Sequence, residues 1–434
     1  MTLGYDELRA LDARHVWHPF TQAGTAAPPI LALGAKGATI YGADGREYLD
    51  LVSSWWVNLH GHAHPAIARA IADQASRLEQ VIFADFTHEP AIRLAARLAE
   101  LLPGDLDRVF WSDNGSTAVE VALKLAHQYW SNRGENRSVY VAFEGGYHGD
   151  TVGAMSAGRA SGFFTAWERM LFPVEFAPFP ATWDGDPDAA ATEQAALDVL
   201  DRILDANRGK VAAVILEPLV QGAGGMRMCR PEFLRALEAK VHDAGTLLIF
   251  DEVMTGFGRT GELFACRGAG VTPDLVCLSK GISGGFLPLA ATVASERIWQ
   301  AFLGCDLTTA FLHGHSYTAN PLGCAAGLAS LDLLLAPDCA ERRRSIEAVH
   351  RERLAGLKGV AKPRVCGTIA AFDLIGGDEG YGAAVGPRLK KEFLARGLLL
   401  RPLGNVLYLL PPYCLDRAEL ERAWDIIAEV VAGL

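Results

Sequence analysis

The sequence has no Cys-x-x-Cys pair, no long uncharged apolar run, no internal repeat and no low-complexity tract. Its eight cysteines (229, 266, 277, 305, 324, 339, 366 and 414) are scattered through apolar or helical-looking segments. That scatter argues against a disulfide framework and against a zinc site, so reduced thiols are expected. Basic charge is also short. With a formal net charge of −11, the chain offers no broad basic surface for nucleic acid or anionic lipid. No run reaches membrane-spanning length, and the N-terminal stretch interleaves acids and arginines with apolar residues. The expectation is a cytoplasmic protein whose partners are small molecules, with neither nucleic acid nor membrane. A dinucleotide-binding loop is missing too, because GYHGDT and GISGG do not supply G-x-G-x-x-G between a strand and a helix.

What is present suits a large α/β protein. The 434 residues are 50% hydrophobic, enough to bury a substantial core. Short β-branched apolar runs alternate with longer segments of helical period. Three runs matter most: Val211 to Leu216 leads into Glu217, Thr246 to Phe250 into Asp251, and Leu275 to Leu278 into Ser279 and Lys280. In open parallel sheets ligands gather beyond the carboxyl ends of the strands, which makes Glu217, Asp251 and Lys280 candidates for one crevice. Val109 to Ser112 and Val139 to Phe143 read as further strands. Ser116 to Trp130 reads as a helix with Val119, Leu123, Ala126 and Trp130 on one face. From about Pro337 the pattern changes. An arginine-rich helix (Glu341 to Leu357), alternating segments at Thr368 to Ile375 and Val406 to Leu410, and a last helix from Asp416 suit an α+β unit. Pro178 to Asp188 reads as a surface excursion.

The chemistry centres on Lys280. A lysine after an apolar strand and before Gly281 sits on a tight turn, where its amine can be desolvated and made nucleophilic. Taken alone, it would sooner be a surface lysine. Asp251 alters that balance, since an acid closing the apolar run TLLIF needs a charged or hydrogen-bonding partner. A pyridinium nitrogen is such a partner: an opposed carboxylate keeps the ring protonated and able to accept electrons. Gly115 and Ser116 open a helix whose backbone N–H groups, dipole and hydroxyl suit a phosphate, although Asp, Asn and Ser cap many helices. Tyr147, in GGYHGD, is an aromatic that could stack on a cofactor or simply pack.

These residues carry a resemblance. DEVMTGFGRTG, LSKG and EPLVQGAGG resemble the class III aminotransferases of pyridoxal-phosphate fold type I, in the order found there. WHPFT, SSWW, GGYHGDT, QGAGGMRM, His313-Gly314, and Arg401-Pro402 with LPPY resemble the branch of that family that works in biotin synthesis. The likeness covers nearly the whole chain. It implies a large domain over 58–335 with a mostly parallel sheet, and a smaller α+β domain built from 1–57 and 336–434. It implies pyridoxal 5'-phosphate bound covalently by Lys280, which would also carry the substrate proton. Asp251 would face the ring nitrogen, Gly115 and Ser116 the phosphate, and Tyr147 the ring.

The same resemblance implies a homodimer with shared sites, in which Gly314, His315 and Ser316 reach the phosphate and substrate of the other subunit. His315 stands where some relatives have proline, and Ser316 where a threonine hydroxyl is common. The acceptor would be 7-keto-8-aminopelargonic acid, converted to 7,8-diaminopelargonic acid. Phe20, Trp55, Trp56 and Tyr408 would line its apolar chain or the donor, and Arg401 would pair with its carboxylate. Two adjacent tryptophans could equally be the core and rim of one strand. S-adenosylmethionine is the first choice of donor, since aromatic walls suit a sulfonium. Lysine is the alternative, suggested by Phe20 where S-adenosylmethionine users often have tyrosine. Another ω-amino-acid transaminase would share Lys280 and Asp251 but has less reason to combine WHPF, SSWW and LPPY. A B6-binding regulator would need a lost amine or an added DNA-binding module, and neither is seen.

Overall fold

A computed structural model of the chain describes residues 4–375 and 385–434. Near the N-terminus β1 (Ala32–Lys36), β2 (Thr39–Gly42) and β3 (Glu47–Asp50) form an antiparallel meander. Then β4 (Leu106–Ser112), β5 (Val139–Phe143), β6 (Glu175–Ala177) and β7 (Val211–Leu216) enter a seven-stranded sheet. A small hairpin of β8 (Val220–Gln221) and β9 (Arg227–Met228) follows. The sheet is completed by β10 (Leu247–Asp251), β11 (Leu275–Leu278) and β12 (Ala290–Ser295), in the spatial order β4-β12-β11-β10-β7-β5-β6. Only β12 runs against the other strands of this sheet.

The strands at the middle of the sheet are apolar throughout because both faces are covered. Successive residues serve opposite faces. Ile215, Ile249 and Leu275 pack with Val119, Leu123 and Ala126 of the helix Gly115–Asn132. Val214, Leu248 and Val276 point the other way, into the cluster holding Leu234, Leu237 and Val241 of the helix Pro231–Asp243. The expected helix from Ser116 to Trp130 is therefore real but longer. It starts at Gly115 because Asn114 caps it reciprocally with Thr117.

Toward the C-terminus come β13 (Val360–Cys366), β14 (Ile369–Leu374), β15 (Leu398–Leu399) and β16 (Val406–Leu409). Strands β13, β14 and β16 form one antiparallel sheet, while β15 pairs parallel with β3, joining the two ends of the chain. The arginine-rich helix spans Pro337–Gly356, starting earlier than expected because Pro337 is favourable in a first turn. Asp416 caps the last helix, Arg417–Ala432. Only the tip of Pro178 to Asp188 is a surface excursion: Phe179 and Thr182 are buried, and the Thr182 N–H donates to the Met228 carbonyl at 2.8 Å. Phe179 packs beside Phe143 and Phe233, and burying that ring overrides the loop-like composition.

All eight cysteines are free. Among the described residues no three His, Cys, Asp or Glu side chains gather as metal ligands, and no single helix is long and apolar enough to cross a membrane.

Candidate active site

Strand register explains how residues distant in sequence meet. Phe250 lies opposite Leu216 and Asp251 opposite Cys277 in parallel pairing. Glu217, Asp251 and Lys280 thus leave three adjacent strands at the same edge of the sheet, and all three line one cavity of about 760 Å³. Lys280 begins a short 3-10 turn with φ of 47°, a left-handed conformation that a lysine adopts only when its surroundings hold it. Ser279 helps, its hydroxyl donating to the Leu289 carbonyl at 2.9 Å.

The charges around Lys280 are unevenly partnered. Its Nζ lies 4.8 Å from the centroid of the Trp56 ring and forms no hydrogen bond or ion pair among the described residues. Burial pushes its pKa down, although Asp251 and Glu217 pull against that shift. Asp251 is buried and tied on both oxygens: Oδ2 is 2.7 Å from His148 Nδ1, and Oδ1 accepts from the Val253 N–H at 3.1 Å. For His148 burial opposes the charged form, but the Asp251 carboxylate outweighs it and raises the pKa. Glu217 accepts from the Tyr147 N–H at 3.0 Å and the Gly222 N–H at 2.9 Å. Burial and the nearby Asp251 push it up to about 7, against the lowering effect of His148.

The helix Gly115–Asn132 brings its N-terminus to the same cavity. A Cβ on Gly115 would lie 2.5 Å from Val253 Cγ1, so this close approach of helix and strand end requires glycine. The Ser116 hydroxyl accepts from the Thr151 N–H at 2.9 Å and lies 2.7 Å from the Thr151 hydroxyl. Gly149, at φ of 119°, lets its loop pass close over Ser116. Tyr147 lines the same space, stacked on Phe164 at 6.0 Å with its hydroxyl 3.0 Å from Asp150 Oδ1.

The two tryptophans are neither core and rim of a strand nor equivalent. They sit on a turn in which Ser53, Ser54 and Trp56 all have positive φ. Buried Asp50 holds that turn through the backbone N–H groups of Val52 and Ser54 and the Ser54 hydroxyl. Arg259 braces it from the other side by donating to the carbonyls of Asn58 and Pro411. Trp56 is buried, its Nε1 donating to the Tyr408 hydroxyl at 2.9 Å. Trp55 turns outward, 5.5 Å from the Phe20 ring and 4.4 Å beneath the guanidinium of Arg401. Arg401 has no carboxylate partner among the described residues.

The structure thus brings together Phe20, Trp55, Trp56, Gly115, Ser116, Tyr147, Asp251, Lys280, Arg401 and Tyr408. It does not bring Gly314, His315 and Ser316 into the cavity of their own chain. Their loop is closed by the His315 N–H donating to Thr318 Oγ1 at 2.9 Å, and the Ser316 carbonyl accepts from Gln80. Sequence reasoning missed His148. The signal was its place in GGYHGD, directly after Tyr147, but nothing local says that the imidazole reaches a carboxylate 103 positions away.

Comparison with known proteins is decisive. Residues 21–431 match the class-III aminotransferase family. The chain belongs to that family. Among the relatives of this aminotransferase is the adenosylmethionine-8-amino-7-oxononanoate aminotransferase of Synechococcus elongatus, 57% identical over 96% of this chain and 98% of the relative. The enzyme of the same name from Geobacter sulfurreducens is 41% identical over 96% of each chain. The crystal structure of the enzyme so named from Methanocaldococcus jannaschii superposes with a TM-score of 0.92 at 32% identity, covering 99% of both chains. An (S)-enantioselective omega-transaminase from Thermomicrobium roseum gives 0.91 at 31% identity, over 100% of this chain and 98% of that one. The expected α/β architecture with a mostly parallel central sheet is thereby established.

Class III aminotransferases imply pyridoxal phosphate, and the residues of this chain fit that group. Lys280 is a desolvated amine without a counter-ion among the described residues, Asp251 is a buried carboxylate on the adjoining strand, and a helix N-terminus lines the same cavity. The aldehyde carbon, ring nitrogen and phosphate of that group would satisfy these three in turn.

Proposed function

We propose that the chain transfers an amino group to 7-keto-8-aminopelargonic acid, yielding 7,8-diaminopelargonic acid in biotin synthesis, with S-adenosylmethionine as donor. The names of the relatives support the reaction. The observation that carries it to this chain is that one cavity holds both the amine of Lys280 and, at its mouth, the guanidinium of Arg401 over Trp55, neither paired with an acid among the described residues. An acceptor with an amine-forming carbon at one end and a carboxylate at the other suits that spacing of roles.

Pyridoxal phosphate, when bound, supplies a carbon that takes the amino group and a ring that accepts electrons. Lys280 would hold it through Nζ, and the same amine would carry the substrate proton. Asp251 would present its carboxylate to the ring nitrogen, Gly115 and Ser116 would donate to the phosphate, and Tyr147 would wall the ring. Phe20, Trp55, Trp56 and Tyr408 exclude water along the acceptor chain, and Arg401 grips its carboxylate. Gly314, His315 and Ser316 complete the site of a second copy, which makes the working unit a homodimer. In this reading 1–57 and 336–434 form a small domain beside 58–335.

Lysine as donor has one observation in its favour: Phe20 gives the mouth a ring with no hydroxyl, 5.5 Å from Trp55. Mixing the pyridoxal-phosphate form of the enzyme with S-adenosylmethionine, lysine, alanine or glutamate separates the donors. The absorbance of the bound cofactor should shift to that of the pyridoxamine form with S-adenosylmethionine. A shift with lysine alone would transfer the donor role to lysine.

A further inference from the structure

His148 lines the cavity beside Asp251, and the polar atoms packed next to it have no part in the proposed reaction. His148 gives its Nδ1 to Asp251, but its Nε2 is buried without a partner. Gln221 is fully buried at the end of β8, and both its Oε1 and Nε2 are also without partners. Buried amides and imidazoles left unpaired cost about 1–3 kcal/mol each, so two of them side by side call for an explanation.

The glycines next to them report where these atoms point. A Cβ on Gly146 would lie 3.3 Å from His148 Nε2 and 3.5 Å from Gln221 Nε2. A Cβ on the preceding Gly145 would meet Arg227 Nη1 and lie 3.2 Å from Gln221 Oε1. The carboxamide is therefore oriented, with oxygen toward the Arg227 guanidinium and nitrogen toward the imidazole. Arg227 is the residue paired with Gln221 across the β8–β9 hairpin, and its guanidinium is anchored on the carbonyls of Glu144 and Phe179. A guanidinium has donors only, so the amide oxygen must be the atom that faces it. The –NH2 end is then the one turned to the His148 side, and since neither nitrogen is hydrogen-bonded as the side chains stand, a single water would carry its contact to Nε2.

We propose that Gln221 is a positioning residue that fixes the tautomer of His148. A donor facing Nε2 requires that nitrogen to be bare. The single imidazole proton then sits on Nδ1 and is donated to Asp251, which keeps its full carboxylate charge. The other groups facing His148 are acidic: Asp251 itself and Glu217, which both favour the doubly protonated ring. Gln221 opposes them. Gly146 supplies the room, since a side chain there would crowd both Nε2 atoms, while one on Gly145 would displace Arg227. The consequence for catalysis rests on the reading of Asp251 as the partner of the cofactor ring. A neutral His148 leaves that ring the nearest cation for Asp251, whereas an imidazolium would share it.

The test is nitrogen NMR of the pyridoxal-phosphate enzyme labelled in histidine with ¹⁵N, the His148 signals being those lost in His148→Gln. At neutral pH the wild type should show one protonated and one bare nitrogen, the proton on Nδ1. Gln221→Glu, which puts an acceptor beside Nε2, should protonate both. Gln221→Leu should move the Nε2 signal while Asp251 and Lys280 stay folded in place, checked by the cofactor's circular dichroism. Finding an imidazolium or the Nε2–H form in the wild type, or an unchanged His148 spectrum in both variants, would overturn the proposal. The pH at which the cofactor absorbance titrates is read in the same samples. A changed tautomer with an unmoved absorbance titration would uphold the role of Gln221 and instead remove Asp251 from the cofactor ring.

Discussion

The guanidinium of Arg401 lies 4.4 Å from the ring of Trp55 and has no acid to pair with among the described residues. An arginine over an indole at a cavity mouth is held in place while its fork remains available, which suits a carboxylate arriving with the substrate. A charge-assisted pair there is worth about 1.5–3 kcal/mol. Arg401→Ala should thus raise the KM for 7-keto-8-aminopelargonic acid by roughly ten- to a hundredfold, and Arg401→Lys should recover part of it. Cofactor binding should be unaffected. Steady-state kinetics with the acid and its methyl ester check this, since equal use of the ester would deny Arg401 that role.

Lys280→Ala should still collect pyridoxal phosphate from solution, because the helix N-terminus and Asp251 are untouched. It should fail to turn over, because no other amine lies within the described cavity. Multiple turnovers near the wild-type rate would place the chemistry elsewhere.

Asp251→Asn should lose cofactor affinity and activity together. An amide cannot hold a ring nitrogen protonated, and it would also disturb the bond to His148 at 2.7 Å. Equilibrium dialysis of the cofactor beside activity assays decides the matter: unchanged values for both would exclude the pairing.

Glu217 links stability to pH. The folded protein binds its proton more tightly than an unfolded chain, with a pKa of about 7 against the ordinary 4.5. Its contribution is whole below about pH 4.5 and is lost as pH rises through about 7. A difference of this size corresponds to roughly 3 kcal/mol at most. Between about pH 4.5 and 7.5 the Tm of the wild type should fall more steeply than that of Glu217→Gln, and above that range the two curves should run parallel. Curves parallel throughout would show that Glu217 is ionised at no cost.

Much of this site was legible in the sequence because parallel strands end in polar residues at one edge. Val211 to Leu216 and Leu275 to Leu278 were bounded by those polar residues, and the structure keeps the same limits. Asp251 was read as lying just past its strand, and it proves to be the last strand residue. What lay beyond reach was partnership across long separations. His148 to Asp251, Trp56 to Tyr408 and Arg259 to Pro411 depend on how loops fold over the sheet edge, which no local pattern encodes. The different fates of Trp55 and Trp56 follow from a strained turn that Asp50 stabilises, and nothing in SSWW itself announces it.

A shared active site predicts that activity tracks dimerisation. Ser316→Ala should weaken cofactor binding although Ser316 lies outside the cavity of its own chain. Sedimentation and activity followed across one dilution series give the check, and a fully active monomer would contradict it.

The most direct test is a single turnover with the acceptor. The pyridoxamine form of the enzyme, mixed with 7-keto-8-aminopelargonic acid, should recover the pyridoxal absorbance and release one equivalent of 7,8-diaminopelargonic acid by mass spectrometry. Lys280→Ala should do neither at a comparable rate. Failure of the wild type to aminate this acid, alongside ready amination of an unrelated ketone or aldehyde, would contradict the account.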